Sequence, residues 1–201
     1  IKVLENGARL LIEKPAAATQ EEFARLGCAI ASNGGCCTVA LHAAFGLEVE
    51  WYIASQGRGK LGMPPITSFA CNFYDPYFLN GKMLESATSL GGSWIDSGIN
   101  ALSVVCRLLK ADSLRITDSR LTRVHAVGCS EIQGTVDFCF ENEGRLGRGT
   151  IDTNWTIGRN KKVTVLGFAD SVNKIVLDHS DQCVFLQVGA AKEHLFDGRN
   201  E

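Results

Sequence analysis

The sequence has 201 residues, of which 45% are hydrophobic and 21% charged, with a formal net charge of −2. These proportions are ordinary for a soluble globular protein, and the length allows one sizeable core or one domain with part of another. The charges are scattered without a basic cluster, which argues against a nucleic-acid or acidic-membrane partner, and no apolar run approaches the ~18 residues of a membrane helix.

The first half of the chain is predicted to alternate between strands and helices. Helical and alternating periodicities are separated there by Gly, Pro and Asn. In order, the predicted elements are a helix end at 1–7, a buried strand at 8–13, a helix between Thr19 and the turn at 33–35, a strand at 36–41, a helix at 43–57, a strand at 66–74 and a helix at 94–110. Residues 75–93 lack periodicity and predict a long connection, which in compact domains is often functional.

Beyond residue 112 the pattern changes to short strands separated by turns. Val136, Phe138 and Phe140 alternate with polar neighbours, which indicates a largely antiparallel sheet with one buried face. The predicted strands are 113–119, 122–128, 135–142, 149–157, 161–169, 173–179 and 183–189. Residues 190–201 are expected to connect to a further helix. The predicted fold class is therefore α+β, with a largely antiparallel mixed β-sheet and helices packed on one face.

The eight cysteines are irregularly spaced and include no C-x-x-C pair. A zinc site requires two such pairs or an equally tight Cys/His cluster, so no metal is predicted. Most of the cysteines lie in apolar runs, which favours buried free thiols and a cytoplasmic location. The neighbours Cys36 and Cys37 could alternatively form a vicinal disulfide.

The four histidines are far apart and form no H-x-x-x-H pair. His125 and His179 lie in or beside strands and are interpreted as structural. His42 ends a predicted strand and could face a cleft. The chain also lacks G-x-S-x-G, P-loop and H-E-x-x-H motifs, which argues against the common hydrolases and nucleoside triphosphatases.

Glu13-Lys14-Pro15 ends the first predicted strand abruptly. Lys14 is either a solvated residue at a strand end or a lysine delivered to the carboxyl edge of a parallel sheet, where open α/β folds bind ligands. In the second case it could donate a proton or a hydrogen bond to a substrate oxygen. The spacing alone leaves both interpretations open.

The predicted helix at 94–110 carries two stripes of side chains. Asp96, Asn100, Ser103 and Arg107 recur at helical spacing and line one side. By itself this pattern favours a solvated polar face. The predicted buried stripe consists of Ile95, Ile99, Leu102, Cys106 and Leu109.

Three segments together resemble the Gfo/Idh/MocA-type (glucose–fructose oxidoreductase/inositol dehydrogenase) family. "LENGARLLIEKPAAATQEEFARL" is similar to the family's last Rossmann strand, E-K-P turn and linking helix. "GRGKLGMPPITSFACNFY" is similar to its glycine loop and following strand. "LGGSWIDSGINALSVVCRLL" is similar to its glycine-rich loop and D-x-G-x-H helix. Their order and spacing match across essentially the whole chain.

The resemblance implies a domain organisation. Residues 1–15 would be the remnant of an N-terminal Rossmann domain, and residues 16–201 an α+β substrate and oligomerisation domain that is truncated at its C-terminus. The family's G-x-G-x-x-G loop does not occur in this sequence. NAD or NADP is therefore expected to bind mainly to the missing N-terminal domain.

The resemblance also implies roles for residues of the E-K-P turn and of the helix. Lys14 would be the catalytic lysine beside the nicotinamide, and Glu13 and Pro15 would shape that end of the cofactor pocket. Asp96 would orient the substrate or the base. The family's catalytic histidine is replaced by Asn100, and an amide can hold a hydroxyl group but cannot take its proton.

Because Asn100 is not a base, proton transfer would fall to Lys14 or to another residue such as His42. His42 and Trp94 are the candidate substrate-binding residues. The implied function is that of an NAD(P)-dependent oxidoreductase acting on a secondary alcohol or carbonyl of a sugar, polyol or related small molecule. The fragment alone is not expected to be active.

Two alternatives to catalysis are open at this point. The protein could be a non-catalytic ligand-binding or regulatory member of the same fold, as the replacement by Asn100 suggests. It could also be an assembly domain, since family members commonly pair through the open face of this sheet. A homo-oligomer formed through the sheet face is expected whether the protein is an enzyme or an assembly domain.

Overall fold

The computed structural model describes residues 3–6, 9–17, 19–109, 113–124 and 131–200. The chain forms two compact units, residues 1–42 and 43–201. His125 and Cys129, and most of the strand predicted at 122–128, lie outside the described residues. Among the helices of the described ranges, none is long and apolar enough to cross a membrane.

The first unit is a β-α-β unit preceded by a short 3-10 turn. Its elements are the turn Leu4–Asn6, strand β1 Arg9–Glu13, helix α1 Gln20–Asn33 and strand β2 Cys36–Ala40. The two strands pair in parallel, with Glu13 opposite Ala40. The predicted cap is present, because Thr19 Oγ1 accepts a hydrogen bond from the Glu22 N–H at 3.1 Å. Gly34 ends α1 in the left-handed conformation, with φ +60°.

The prediction of a buried first strand is wrong. Leu11 is 70% exposed, Leu10 and Ile12 are half-buried, and no residue of α1 is buried. A two-stranded sheet with one helix offers too little surface to enclose apolar side chains. The predicted domain seam between residues 15 and 16 falls inside this unit, and the domain assignment stays a prediction.

The second unit contains two α-helices and ten strands among its described residues. They are a 3-10 turn His42–Phe45 at the junction, α2 Leu47–Gly57, β3 Ile66–Tyr74, β4 Phe78–Leu79, β5 Lys82–Met83, a 3-10 turn Glu85–Ala87, a π-helical turn Trp94–Gly98, α3 Ile99–Leu108, β6 Arg115–Thr122, β7 Gln133–Asn142, β8 Arg145–Asn154, β9 Lys161–Phe168, β10 Lys174–Asp178, β11 Cys183–Val188, β12 Ala191–Asp197 and a 3-10 turn Gly198–Asn200. The segment predicted as a connection after residue 189 is therefore mostly the strand β12.

Eight of these strands form one mixed sheet, in the order β12-β11-β10-β9-β3-β8-β7-β6. Among the described strands of this sheet, β3 and β8 are the parallel pair, and the other neighbours are antiparallel. This arrangement confirms the predicted α+β fold class. β4 and β5 form a separate small hairpin inside the predicted long connection.

The main core lies between one face of the large sheet and the helices α2 and α3. Val49 from α2 and Val104 from α3 join the inward-facing sheet residues, such as Phe138, in one buried cluster. Trp51 of α2 stacks on Phe196 with ring centroids 5.4 Å apart. The predicted alternation along β7 is confirmed, because its apolar positions face this core and its polar positions face the opposite side.

Candidate functional site

The polar stripe of the 94–108 helical segment is buried, so the prediction of a solvated face is wrong. Asp96 is 9% exposed, Asn100 6% and Ser103 7%, and only Arg107 lies at the surface. The positions adjoining the stripe, Ala101, Val104 and Val105, enter the core. They carry the small polar side chains inward with them. In the predicted buried stripe, Leu109 is buried, whereas the other four residues are half-buried.

The helix begins with a wide turn that sets the positions of Asp96 and Trp94. The Ile99 N–H donates to the Trp94 carbonyl oxygen five residues earlier, which defines a π-helical turn. Such turns are rare and occur frequently at functional sites. The Trp94 ring lies directly over Gly98, where a side chain would overlap it. Gly98 in the D-x-G sequence therefore makes room for Trp94.

Glu131 holds the start of this helix and was not identified from the sequence. Its Oε1 accepts from the Trp94 N–H at 2.8 Å, and its carbonyl oxygen accepts from the Ser93 N–H at 3.0 Å. Gly92 has a φ of +122°, and a side chain there would overlap the Glu131 carboxylate. The predicted close approach of the glycine-rich loop to another surface is thus an approach to Glu131. A buried carboxylate at a helix start is favoured by the helix dipole.

A second buried carboxylate, Asp75, is linked to Asp96 through the Ser97 hydroxyl group. Asp75 directly follows β3, is 3% exposed and pairs with Lys162 Nζ at 3.0 Å. Ser97 Oγ donates to Asp75 Oδ2 at 2.7 Å and lies 3.4 Å from Asp96 Oδ2. The Trp155 indole N–H reaches the same hydroxyl oxygen at 3.4 Å. One hydroxyl group therefore links the two acids.

Tyr77 borders this acid pair. Its ring meets Trp155 edge-on at a centroid distance of 5.2 Å. Burial raises the pKa of the Tyr77 phenol, and the nearby Asp75 and Asp96 raise it further. The phenol is consequently a proton donor that stays protonated at neutral pH. Neither Tyr77 nor Asp75 showed a signal in the sequence, because both lie in the segment without periodicity.

Asn100 presents an unsatisfied oxygen. Its Oδ1 is buried and has no hydrogen-bond partner among the residues that the structure describes. Its backbone carbonyl accepts from Ser103 Oγ at 2.7 Å, so the neighbouring hydroxyl is already engaged. A buried polar group without a partner costs about 1 to 3 kcal/mol. Such a cost is typically tolerated at functional sites.

The remaining predicted site residues lie in the first unit. Glu13 is the last residue of β1 and is exposed, whereas Lys14 and Pro15 are half-buried and joined by a cis peptide bond. His42 is exposed and follows β2. Because β1 and β2 are parallel, Lys14 and His42 both follow the carboxyl edge of the same two-stranded sheet. Trp94, Asp96 and Asn100 are brought together in the second unit.

Two other sequence predictions concern single side chains. The seven cysteines that the structure describes are free thiols, so Cys36 and Cys37 form no disulfide. The prediction that most are buried is wrong, since only Cys71 and Cys183 are buried. His179 is structural as predicted, with Nδ1 2.6 Å from Glu48 Oε1.

Comparison with solved structures places the fold among oxidoreductases. The chain is similar to an NAD binding oxidoreductase from Klebsiella pneumoniae (TM-score 0.76, 15% identity, 98% of this chain and 57% of that one). It is similar to an inositol dehydrogenase homolog from Azotobacter vinelandii, in complex with NADH and myo-inositol (0.74, 17%, 96% and 51%). It is also similar to a UDP-N-acetylglucosamine 3-dehydrogenase from Acidithiobacillus ferrooxidans (0.70, 13%, 98% and 58%).

These similarities are structural, because identities of this size establish a shared fold and no more. The chain spans between half and three fifths of the length of the solved structures that it matches. No protein-family model and no curated protein sequence matches it.

Proposed function

This chain has the fold of the C-terminal part of Gfo/Idh/MocA-type oxidoreductases, as the sequence resemblance predicted, and we propose that the whole protein is a nicotinamide-dependent oxidoreductase. The proposed reaction interconverts a secondary alcohol and the matching carbonyl of a sugar, polyol or related small molecule. The domain assignment is part of the same proposal: residues 1–15 belong to the cofactor-binding Rossmann domain, and residues 16–201 to the substrate and oligomerisation domain.

The observation that carries the proposal is the buried polar face of the D-x-G-x-N helix. Asp96 and Asn100 are withdrawn from solvent, and the Asn100 Oδ1 has no donor in the described part of the chain. A surface helix would not bury these groups at such a cost. A substrate hydroxyl is the kind of group that an unsatisfied amide can recognise.

The residues present fit the nicotinamide end of such a cofactor. Glu13 ends β1, and Lys14 and Pro15 follow it at the carboxyl edge of a parallel strand pair, which is where open α/β folds bind ligands. We expect the remaining cofactor contacts to come from outside this chain. When bound, the nicotinamide supplies the hydride acceptor or donor.

Each predicted residue has a defined part in this proposal. Lys14 Nζ moves the proton of the reacting hydroxyl, or donates to the carbonyl oxygen in the reverse direction. Asn100 is proposed to bind a substrate hydroxyl group, and Asp96 to orient the substrate or the base. Trp94 and His42 are the proposed substrate-binding residues, and His42 is the alternative base.

The decisive experiment is a hydride-transfer assay on the whole protein with a panel of sugars and polyols. Lys14→Ala should lower turnover with the best substrate by about 100-fold or more, in the range typical of lost general acid–base catalysis. The matched control is Lys82→Ala, because Lys82 is an exposed lysine on the separate β4–β5 hairpin. Turnover that survives Lys14→Ala unchanged would rule out the lysine assignment.

Asn100 supports a second candidate function. Because an amide cannot act as a base, the protein could bind cofactor and sugar without turning them over. Titrating the whole protein with sugars while monitoring bound-cofactor fluorescence separates the two candidates. A ligand-dependent signal with no hydride transfer would favour the binding or regulatory protein.

The proposal includes self-association through the open face of the large sheet. This face carries polar pairs, such as Arg120 Nη2 with Asp137 Oδ2 at 3.0 Å, and Thr150 donates to Asp137 Oδ1 at 2.7 Å. The Thr150 hydrogen bond and the Arg120 guanidinium hold the pKa of Asp137 below its usual value. Sedimentation equilibrium tests the association, and a monomer at high concentration would count against it.

A cytoplasmic location is proposed because the described thiols are free.

A further inference from the structure

Three potential metal ligands meet at one end of the large sheet, on the two outermost strands β11 and β12. Cys183 begins β11, and His194 and Asp197 lie on β12. One ligand atom from each side chain lies within 4.8 Å of the other two. The cluster shares no residue with the proposed oxidoreductase site.

A β-bulge brings the three side chains to the same face. Asp197 pairs with Cys183 and His194 pairs with Phe185, and the register shifts between these two positions. The bulge leaves Leu195 without an opposite residue. In a regular strand residues three apart point to opposite faces, whereas one extra residue returns them to the same face. His194 and Asp197 are therefore aimed together by the bulge.

The three side chains differ in accessibility in a way that suits a bound ion. The Cys183 residue is 1% exposed, and Asp197 is half-buried. His194 is exposed, and its ring stacks on Phe185 with centroids 4.7 Å apart. Among the residues that the structure describes, none is hydrogen-bonded to the ring nitrogens of His194. The imidazole is thus oriented but available.

A cationic side chain now lies against the cluster. Arg199 Nε is 3.2 Å from Asp197 Oδ1, and Nη2 is 3.8 Å from Cys183 Sγ. The Arg199 side chain is 59% exposed, so it can move away without unfolding the strands. A second acid, Asp181, also contacts this guanidinium at 3.3 Å. The positions of these groups show that the cluster attracts positive charge.

We propose that Cys183, His194 and Asp197 bind a zinc-class divalent transition-metal ion that displaces the Arg199 guanidinium. Sulfur, imidazole nitrogen and carboxylate oxygen are the ligand types of zinc, whereas calcium and magnesium prefer oxygen alone. Cys183 Sγ and Asp197 Oδ1 are 3.6 Å apart. Zinc bonds of about 2.3 Å to sulfur and about 2.1 Å to oxygen give a tetrahedral edge of about 3.6 Å.

The site would act as a clip on the edge of the sheet. Binding releases the thiol proton and joins β12 to β11 through their side chains. β12 is an edge strand, so it is hydrogen-bonded to one neighbouring strand and not to two. The metal would add a second link between β12 and the rest of the sheet. An ion that binds the folded chain more tightly than the unfolded chain stabilises it by mass action. Three protein ligands leave the fourth position to water.

The test uses the full 201-residue chain, freed of metal by chelation, with Zn²⁺ and Co²⁺ as probes. Calorimetric titration should show one equivalent of Zn²⁺, and Co²⁺ should give a sulfur-to-metal charge-transfer band. His194→Gln and Asp197→Asn should each weaken Zn²⁺ binding by more than about 10-fold, because even outer-shell changes cost 10- to 100-fold. Because Cys183 is buried, replacing it with serine risks unfolding the chain. His194 is exposed, so His194→Gln tests the site without that risk.

The matched control is the Cys36→Ser/Cys37→Ser double variant. These two thiols are neighbours in the sequence, belong to the first unit and are not part of the cluster. The control should bind Zn²⁺ as the unsubstituted chain does and keep the charge-transfer band. Loss of binding in the control, or unchanged binding in His194→Gln, would overturn the proposal. A chain that shows no Zn²⁺ binding at all would overturn it as well.

Discussion

Glu48 and Asp75 are both buried carboxylates paired with a base, but their surroundings differ. Glu48 lies on α2, is 2% exposed and contacts His179 Nδ1 at 2.6 Å. His179 Nε2 is 2.8 Å from Thr164 Oγ1, which lies 3.3 Å from the Cys71 thiol. The side chains of all four hydrogen-bonded residues are enclosed. Burial raises the pKa of the Cys71 thiol to about 12, so it stays protonated.

Asp75 has a more open partner. Its base, Lys162, keeps 27% of its side chain exposed, and Ser97 connects Asp75 to Asp96. Among the described residues, the Glu48–His179 pair is hydrogen-bonded to enclosed side chains, and it joins α2 to the end of β10. The Asp75–Lys162 pair reaches both solvent and the candidate site. Burial of a carboxylate alone therefore does not distinguish the two pairs, whereas the link through Ser97 to Asp96 places Asp75 beside the candidate site.

The largest expected effect is the loss of the enclosed pair. His179→Ala leaves Glu48 buried without its partner, and breaking a buried pair in this way typically costs about 3 to 5 kcal/mol. The free energy of unfolding, measured by urea denaturation, should fall by that amount. His194→Gln in metal-free buffer is the control, because an exposed residue that loses one ring contact with Phe185 should lower stability by no more than about 1.5 kcal/mol. Equal effects in both variants would contradict the assignment of His179 as structural.

The open pair should be less important for stability. Lys162→Met keeps the apolar stem and removes the ammonium group from Asp75. Because Ser97 still donates to Asp75, the expected loss is about 1 to 3 kcal/mol, the typical cost of an unsatisfied buried group. Lys161→Met changes the neighbouring lysine on β9 and serves as the control. A loss as large as that in His179→Ala would remove the distinction between the two pairs.

The elements of the fold could be predicted because their signals are local. The Thr19 cap, the glycine at position 34 and the alternation through Phe138 each depend on a few adjacent residues. The β-α-β unit and the antiparallel strands follow from such patterns. The parallel pairing of β3 with β8 could not be predicted, because it joins segments far apart in the sequence.

The candidate site could be predicted only where a motif marked it. The D-x-G pattern indicated Asp96 and Asn100 as candidates, but it did not predict that their side chains are buried. Glu131 contacts Trp94 from 37 residues away, with no periodicity to indicate it. The approach of His194 to Asp197 depends on a bulge, and strand alternation would place the two on opposite faces. Partners distant in sequence and irregular backbone are what a one-dimensional pattern omits.

The smallest expected effect concerns the phenol beside the open pair. Asp75→Asn removes a negative charge that disfavours the Tyr77 phenolate, so the raised pKa of Tyr77 should move back toward 10.0. Because the pKa is raised in the folded chain, the stability linked to this phenol is present at neutral pH and is lost as the pH rises above 10.0. That alkaline loss should become smaller in the variant. Residue-assigned NMR titration measures the Tyr77 pKa. Tyr52 is the control, because burial and Glu143 raise the Tyr52 pKa independently of Asp75. An unchanged Tyr77 titration would show that Asp75 does not act on the phenol.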